Sequence, residues 1–282
     1  MLRKGDLTQG GITGTLLHFT LPMLVGSFLQ QCYNIADTLI VGQCIGAGAL
    51  AAVGSAYTLM VFLISVLLGL AMGSGTVFSL HYGAGNHVAL RRSIFSSFVL
   101  IGIVTLILNV AVFIWLDPIL RLLQVPQDIY GMMRSYLWII FCGIVFTFIY
   151  NFYASLLRAV GDSVTPLWFL AVSVVLNIAL DLFFILQLDW GIQGAAAATV
   201  LAQGVAALGI IIYTYRRRPE LRWHHEDMCF DRTCLKEIAS FSTLTCIQQS
   251  VMNLGILMVQ GLVNSFGTVV MAAFAAAIKI DS

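Results

Sequence analysis

Charge is what this chain has least of. Only 10% of its 282 residues are Asp, Glu, Lys or Arg, where a soluble domain carries about 25%. With 60% hydrophobic residues and a mean hydropathy of +0.95, a water-soluble fold is excluded. A net charge of +1 lacks the basic excess with which proteins meet nucleic acid, so no nucleic-acid partner is expected. No cleavable signal peptide is evident. The opening MLRKGDLTQGGITG is polar and small, and no short apolar core with a small-residue cleavage site follows. The first apolar segment is therefore expected to stay as a membrane span. The six cysteines lack the spacing of a disulfide framework. Cys32, Cys44, Cys142 and Cys246 lie in or at the ends of apolar runs and read as small packing residues. Cys229 and Cys234 follow His224 and His225 in HHEDMCFDRTC, a spacing that fits no standard zinc pattern. A solvated loop is the better reading there, and no metal or other cofactor is expected.

What the chain does have is long apolar runs. Crossing a bilayer core as a helix takes about 20 apolar residues. Such runs lie at 16–41, 54–80, 94–116, 132–157, 165–187, 191–215 and 238–263, and an eighth starts near 268. The expected class is an all-α integral membrane protein. Basic residues favour the cytoplasmic side of a membrane protein. Arg3, Lys4, Arg91, Arg92, Arg158, Arg216, Arg217, Arg218, Arg222, Arg232 and Lys236 fall in connections on one side, against only Arg121 and Arg134 on the other. The N-terminus and the loop RRRPELRWHHEDMCFDRTCLK are therefore expected in the cytoplasm.

That loop also divides the chain, at 216–237, from a second copy of its own beginning. After it, FSTLTCIQQSVMNLGILMVQGLVNSFGTVVMAAFAAA echoes FTLPMLVGSFLQQCYNIADTLIVGQCIGAGALAAVGSA. Gln30-Gln31 match Gln248-Gln249, Asn34 matches Asn253, Gly46 matches Gly267, and Ala51-Ala52 match Ala272-Ala273. Internal repeats of this kind are a habit of transporters, and an even number of intervening spans makes the copies enter the membrane in the same direction. The expectation is a lobe at 1–215 with six transmembrane helices, the basic linker at 216–237, and the first one to two helices of a second, truncated lobe at 238–282.

Of thirteen acids, only Asp37 and Asp181 lie clearly inside a span. A carboxylate near the bilayer centre is costly by about 2.5–3.5 kcal/mol on insertion scales, and such residues mark ion or proton paths. The second copy reads NLGILMV where Asp37 would align, so the acid is not needed to build the helix. Asn177 stands four residues before Asp181, one turn away on the same helix face. Thr199 follows the small-residue run GIQGAAAAT, and Tyr136 and Asn151 belong to the fourth run. Taken singly, Tyr136, Asn151 and Thr199 have a plainer reading as polar contacts between helices, worth about 0.6–2 kcal/mol each. If the two acids face one cavity, burial and mutual repulsion oppose their both being ionised, and a proton or a sodium ion relieves the conflict. Gly42-x-x-x-Gly46 and Gly69-x-x-x-Gly73 read as seams where helices approach closely. Pro22 is expected to bend the first helix.

DTLIVGQCIGAGALAAVG, GLAMGSGTVFSLHYGAGN, LLRAVGDSVTPLW and LNIALDLFFI followed by WGIQGAAAATVLAQ resemble, in this order, the multidrug and toxic compound extrusion (MATE) family, its bacterial DinF-like branch in particular. The resemblance covers that family's first six-helix lobe, its linker and the start of its seventh and eighth helices. It implies two six-helix lobes forming a V with alternating access in a bacterial cell membrane. It also implies antiport of cationic, amphipathic organic compounds against protons or sodium, by a monomer when both lobes are present. It further implies a coupling-ion site at Asp37, Asn177, Asp181 and Thr199, supported by Tyr136 and Asn151, and a helix bend at Pro22. On this resemblance, the chain is expected to be truncated, without most of the family's second lobe.

Other classes fit the residues less well. A lipid-linked sugar flippase of the same wider superfamily would line its cavity with several Arg or Lys, and Arg134 is the only candidate within the first six spans. A seven-helix receptor is opposed by the internal repeat. An intramembrane aspartyl protease would activate water with two acids, but its Gly-x-Gly-Asp signature is absent, so no enzyme is expected. An inactive fragment is the last alternative.

Overall fold

The computed structural model describes residues 12–223, Asp227 and 232–281. The expectations for Arg3, Lys4, His224, His225 and Cys229 concern residues outside these. Every regular element described is helical: α1 (Ile12–Cys44), α2 (Ala47–Gly83), α3 (His87–Leu122), α4 (Gln127–Cys142), α5 (Ile144–Ala159), α6 (Val164–Leu182), α7 (Gly191–Arg217), α8 (Arg232–Asn264) and α9 (Thr268–Asp281). Helices are what lipid demands, because hydrocarbon offers no partner to an unpaired backbone group. The outer surface agrees. Phe28, Leu106, Trp115, Val175, Leu244 and Met258 are all exposed, a covering that water would not tolerate over so wide an area.

Among the described residues, five helices are long and apolar enough to cross a membrane, and a sixth span is made if α4 and α5 count together. Seven completed spans were expected, and one of the expected runs is divided. The run at 132–157 is not one helix: α4 and α5 meet at Gly143 with a bend of 50°. α7 comes close at this point, since a Cβ on Gly143 would lie 2.5 Å from a methyl of Val200. α1, at 33 residues, is long enough to cross a bilayer core. Gln30, Gln31, Asn34 and Asp37 lower the apolarity of its second half. It continues without a break through Pro22.

α2 is the central strut, with α1, α3, α4, α5, α8 and α9 all packed on it. Its closest neighbour is α8, which runs antiparallel along it. Gly69 faces Cys246 and Gly73 faces Ser242, so near that an added Cβ would come within 2.5 Å and 2.4 Å of the opposing Cα atoms. Further along the pair, Ser55 and Thr58 of α2 meet Gln260 and Asn264 of α8 in a buried polar cluster. Gln260 Nε2 donates to Ser55 Oγ and to Asn264 Oδ1, both at 2.8 Å, and Asn264 Nδ2 donates to the Leu123 carbonyl at 2.8 Å.

The Gly69/Gly73 seam is thus real, whereas Gly42 and Gly46 do not form one. Gly46 lies between α1 and α2 with φ +119°, and Gly267 lies between α8 and α9 with φ +90°. An L side chain rarely adopts such a φ, so both turns require glycine. Each glycine carbonyl then accepts from the amide four residues on, Leu50 and Met271, at 3.1 Å. The repeat seen in the sequence is therefore a repeat of a helix–turn–helix corner.

Two other expectations are corrected. Cys32, Cys44 and Cys142 are exposed, so among the four apolar-run cysteines only Cys246 sits in a tight helix contact. The linker is not wholly solvated. Leu221 and Asp227 are buried, Arg91 Nε binds Asp227 Oδ2 at 2.7 Å, and Trp223 packs edge-on against Phe95. A charge pair and an aromatic clamp tie this end of the bundle down.

Candidate functional site

Four helices contribute a polar pair at i and i+4: Tyr33 and Asp37 on α1, Thr147 and Asn151 on α5, Asn177 and Asp181 on α6, Thr199 and Gln203 on α7. That spacing stacks each pair on one face. α6 packs on both α1 and α7, and α5 packs on α7, so the four faces turn toward one another. Small residues allow it. Ala195, Ala196, Ala198, Ala202 and Ala206 of α7 are all buried where its neighbours press in.

The polar groups meet in detail. Tyr33 Oη lies 3.4 Å from Thr199 Oγ1. With its amide turned so that donors face acceptors, Asn177 Nδ2 donates to Asp181 Oδ2 at 2.9 Å. Its oxygen then accepts from the Thr199 backbone N–H at 3.1 Å and from Thr199 Oγ1 at 3.3 Å. Thr147 Oγ1 donates to Gln203 Oε1, and Asn151 Nδ2 to the Thr147 carbonyl at 2.8 Å. Asp181 is fully buried, at 0% exposed, and Asp37 nearly so, at 9%. The Oδ1 atom of Asp181 has no hydrogen-bond partner among the described residues. Asp37, Asp181, Tyr33 and Tyr136 lie within electrostatic reach of one another.

A cavity of about 120 Å³ opens beside this cluster, walled by Gln30, Tyr33, Asn151, Asn177, Thr199 and Gln203 among others. Neither carboxylate is part of that wall. Each acid lies one helical turn beyond a wall residue, Asp37 beyond Tyr33 and Asp181 beyond Asn177, and α1 and α6 run in the same direction. The acids therefore sit near one another, each one turn beyond the cavity wall. Tyr136, on α4, is buried and approaches the acids without lining the cavity. Asn151 is in the wall. Pro22 is not in it; it lies in the wall of a second cavity, more than two turns from Gln30 along α1.

Tyr33, Gln203 and Thr147 were not picked out from the sequence. Their signal was available: each is four residues from a polar residue already noted. No group of three or more His, Cys, Asp or Glu side chains able to hold a metal occurs among the described residues. The donors here are carboxylate, amide and hydroxyl oxygens, which suit a proton or a hard cation and not a soft metal.

Comparison with known proteins agrees with this architecture. A probable multidrug resistance protein of Bacillus subtilis, YpnP, is 32% identical over the whole of this chain, which covers 63% of that relative. Two solved structures superpose with a TM-score of 0.81 at 25% identity. One is a MOP superfamily transporter from Pyrococcus furiosus, with 91% of this chain and 57% of that one covered. The other is an inward-facing multidrug resistance MATE family transporter, with 94% and 61% covered. This chain thus spans less than two thirds of the length of each. The MatE family model matches residues 22–183, more than half of the sequence. The chain is a membrane protein of the MatE family.

Proposed function

We propose that the protein works as a secondary antiporter, exporting cationic, amphipathic organic compounds in exchange for H+ or Na+. Asp37, Asp181, Asn177 and Thr199 hold the coupling ion, with Tyr136 and Asn151 as polar support. One observation carries this reading: a wholly buried carboxylate, Asp181, has an oxygen without a hydrogen-bond partner and a second buried acid, Asp37, within reach of its charge. Buried polar groups are almost always paired, and two anions this deep are unstable together. A bound cation supplies what both lack. Protonation of one acid does the same, turning an acceptor into a donor.

The names of the relatives support drug efflux as the activity. YpnP is a probable multidrug resistance protein, and the inward-facing neighbour is a multidrug resistance transporter. The cavity lined by Gln30, Tyr33, Asn177 and Thr199, one turn from each acid along α1 and α6, supports a route for the ion that does not pass through lipid. The N-terminus and the basic linker lie in the cytoplasm in this reading, by the distribution of Arg and Lys.

The test is efflux from vesicles, first under a pH gradient and then under a sodium gradient. The gradient that drives export names the ion. Asp37→Asn should abolish driven efflux at unchanged expression, and Asp181→Asn should weaken proton or sodium binding. Efflux retained in Asp37→Asn removes the assigned role.

A further inference from the structure

A second cavity, of about 460 Å³, lies between α1, α5 and α6, at the end of the bundle where the α5–α6 turn meets the linker. It shares Gln30, Tyr150, Asn151 and Leu170 with the first, but where the wall of the first holds no ionised side chain this one carries a positive charge. Its one ionised side chain is Arg158, near the end of α5, and no acid lines it. Arg158 is half-buried and has no ion-pair partner among the described residues. The adjacent acid, Asp162, is already committed. It accepts from Arg218 at 3.3 Å and from the Thr165 backbone and hydroxyl at 3.0 Å and 2.9 Å.

The neutral groups around Arg158 sharpen the point. Ser27, Tyr150 and Ser163 spend their hydroxyl hydrogens on the carbonyls of Met23, Pro166 and Phe19. That leaves the Arg158 guanidinium, the amide hydrogens of Gln30 and Gln31 and the second amide hydrogen of Asn151 as the donors free to meet a ligand. The first turn of α6, at Ser163, Pro166 and Leu167, also forms part of the wall, and the positive end of a helix favours an anion. A guanidinium fork matches the oxygens of a phosphate. Such a wall repels the cationic compounds proposed above.

The surroundings are those of an amphiphile. Leu21, Leu24 and Trp168, beside the cavity on α1 and α6, are 62%, 62% and 67% exposed, and Met23 at its rim is 39% exposed. The exposed Arg216 and Arg217 lie at the same end of the bundle, the level at which basic residues meet anionic lipid headgroups. We propose that this cavity seats a phosphate anion, with Arg158 as its countercharge, Gln30 and Gln31 donating to its oxygens, and any attached chain lying over the apolar rim. The phosphate belongs either to a lipid headgroup or to a soluble phosphorylated compound.

The experiment is native mass spectrometry of the purified protein in neutral detergent, titrated with phosphatidylglycerol and, separately, with inorganic phosphate. Saturable retention of phosphatidylglycerol alone assigns the site to a lipid headgroup. Inorganic phosphate that binds and displaces the lipid assigns it to soluble phosphate. In either case Arg158→Gln should weaken binding at least tenfold and Arg158→Lys should restore part of it, while the exposed Arg216→Gln leaves it unchanged. Binding by Arg158→Gln as tight as the parent's overturns the proposal, as does an equal loss in Arg216→Gln. Should Arg158→Gln not fold, the parent and Arg158→Lys still decide: no saturable binding of either probe to the parent, or full affinity in Arg158→Lys with no competition by phosphate, sinks it. None of these readouts involves drug efflux, so the outcome is independent of the antiport reading.

Discussion

Replacing Gly73 by alanine should loosen the contact that joins the two halves of this chain. The added Cβ would lie 2.4 Å from the Ser242 Cα and 2.6 Å from its backbone nitrogen. Carbon atoms rest at about 3.5–4.0 Å from one another, so α8 must retreat by roughly 1–1.5 Å. Backbone is in the way, and no rotamer change can absorb the clash. The retreat also stretches the bond from Ser242 Oγ to the Leu70 carbonyl, now 3.2 Å. Between helices in lipid there is no hydrophobic force to compensate, because packing itself holds them together. Overpacking of this kind costs about 1–3 kcal/mol. Gly69→Ala, whose Cβ would come within 2.5 Å of the Cys246 Cα, should behave alike. Gly255→Ala is the control. Nothing lies within 4 Å of its Cβ, and alanine is the better helix former by about 0.8–1.0 kcal/mol. Thermal unfolding in detergent should rank Gly255→Ala at or above the parent and Gly73→Ala below it. Thiol labelling at Cys246, resolved by peptide mass, should speed up in Gly69→Ala. A Gly73→Ala protein as stable as the parent would show that α2 and α8 do not lie this close, and the reasoning fails.

Gln260→Leu should destabilise by about 1–3 kcal/mol, because it strips a donor from Ser55 and Asn264 inside a buried cluster; a double-mutant cycle with Ser55→Ala should be clearly non-additive, and additivity would mean that the cluster does not act as a unit. Tyr33→Phe removes the contact to Thr199 and should lower stability by about 0.5–1.5 kcal/mol. It should weaken ion binding while leaving transport measurable, in contrast to the full loss predicted for Asp37→Asn. Equal loss in both would give Tyr33 a share in the coupling chemistry itself.

Much of this protein was legible in one dimension. The apolar runs at 54–80, 94–116 and 191–215 fall within α2, α3 and α7, because length and apolarity are local requirements set by lipid. The repeat was legible too, down to Gly46 and Gly267, since a corner that needs positive φ needs glycine in both copies. Asp37 and Asp181 stood out because a charge in an apolar run is conspicuous. Less visible was the i, i+4 partner of each polar residue, such as Tyr33 or Gln203, which looks ordinary until four helices are seen to share a centre.

Composition, helix content, the corner repeat and the two conspicuous acids follow from the order of residues alone, because each depends on neighbours along the chain or on the solvent around it. The rest depended on which helix lies against which. The need for glycine at 143 is set by Val200 of α7, the seam at Gly69 and Gly73 by α8, the position of the acids beyond the cavity wall by the shared direction of α1 and α6, and the isolation of Arg158 by the pairing of Asp162 with Arg218. Such contacts join residues tens to hundreds of positions apart, and their energies depend on distance through space, which no local pattern encodes.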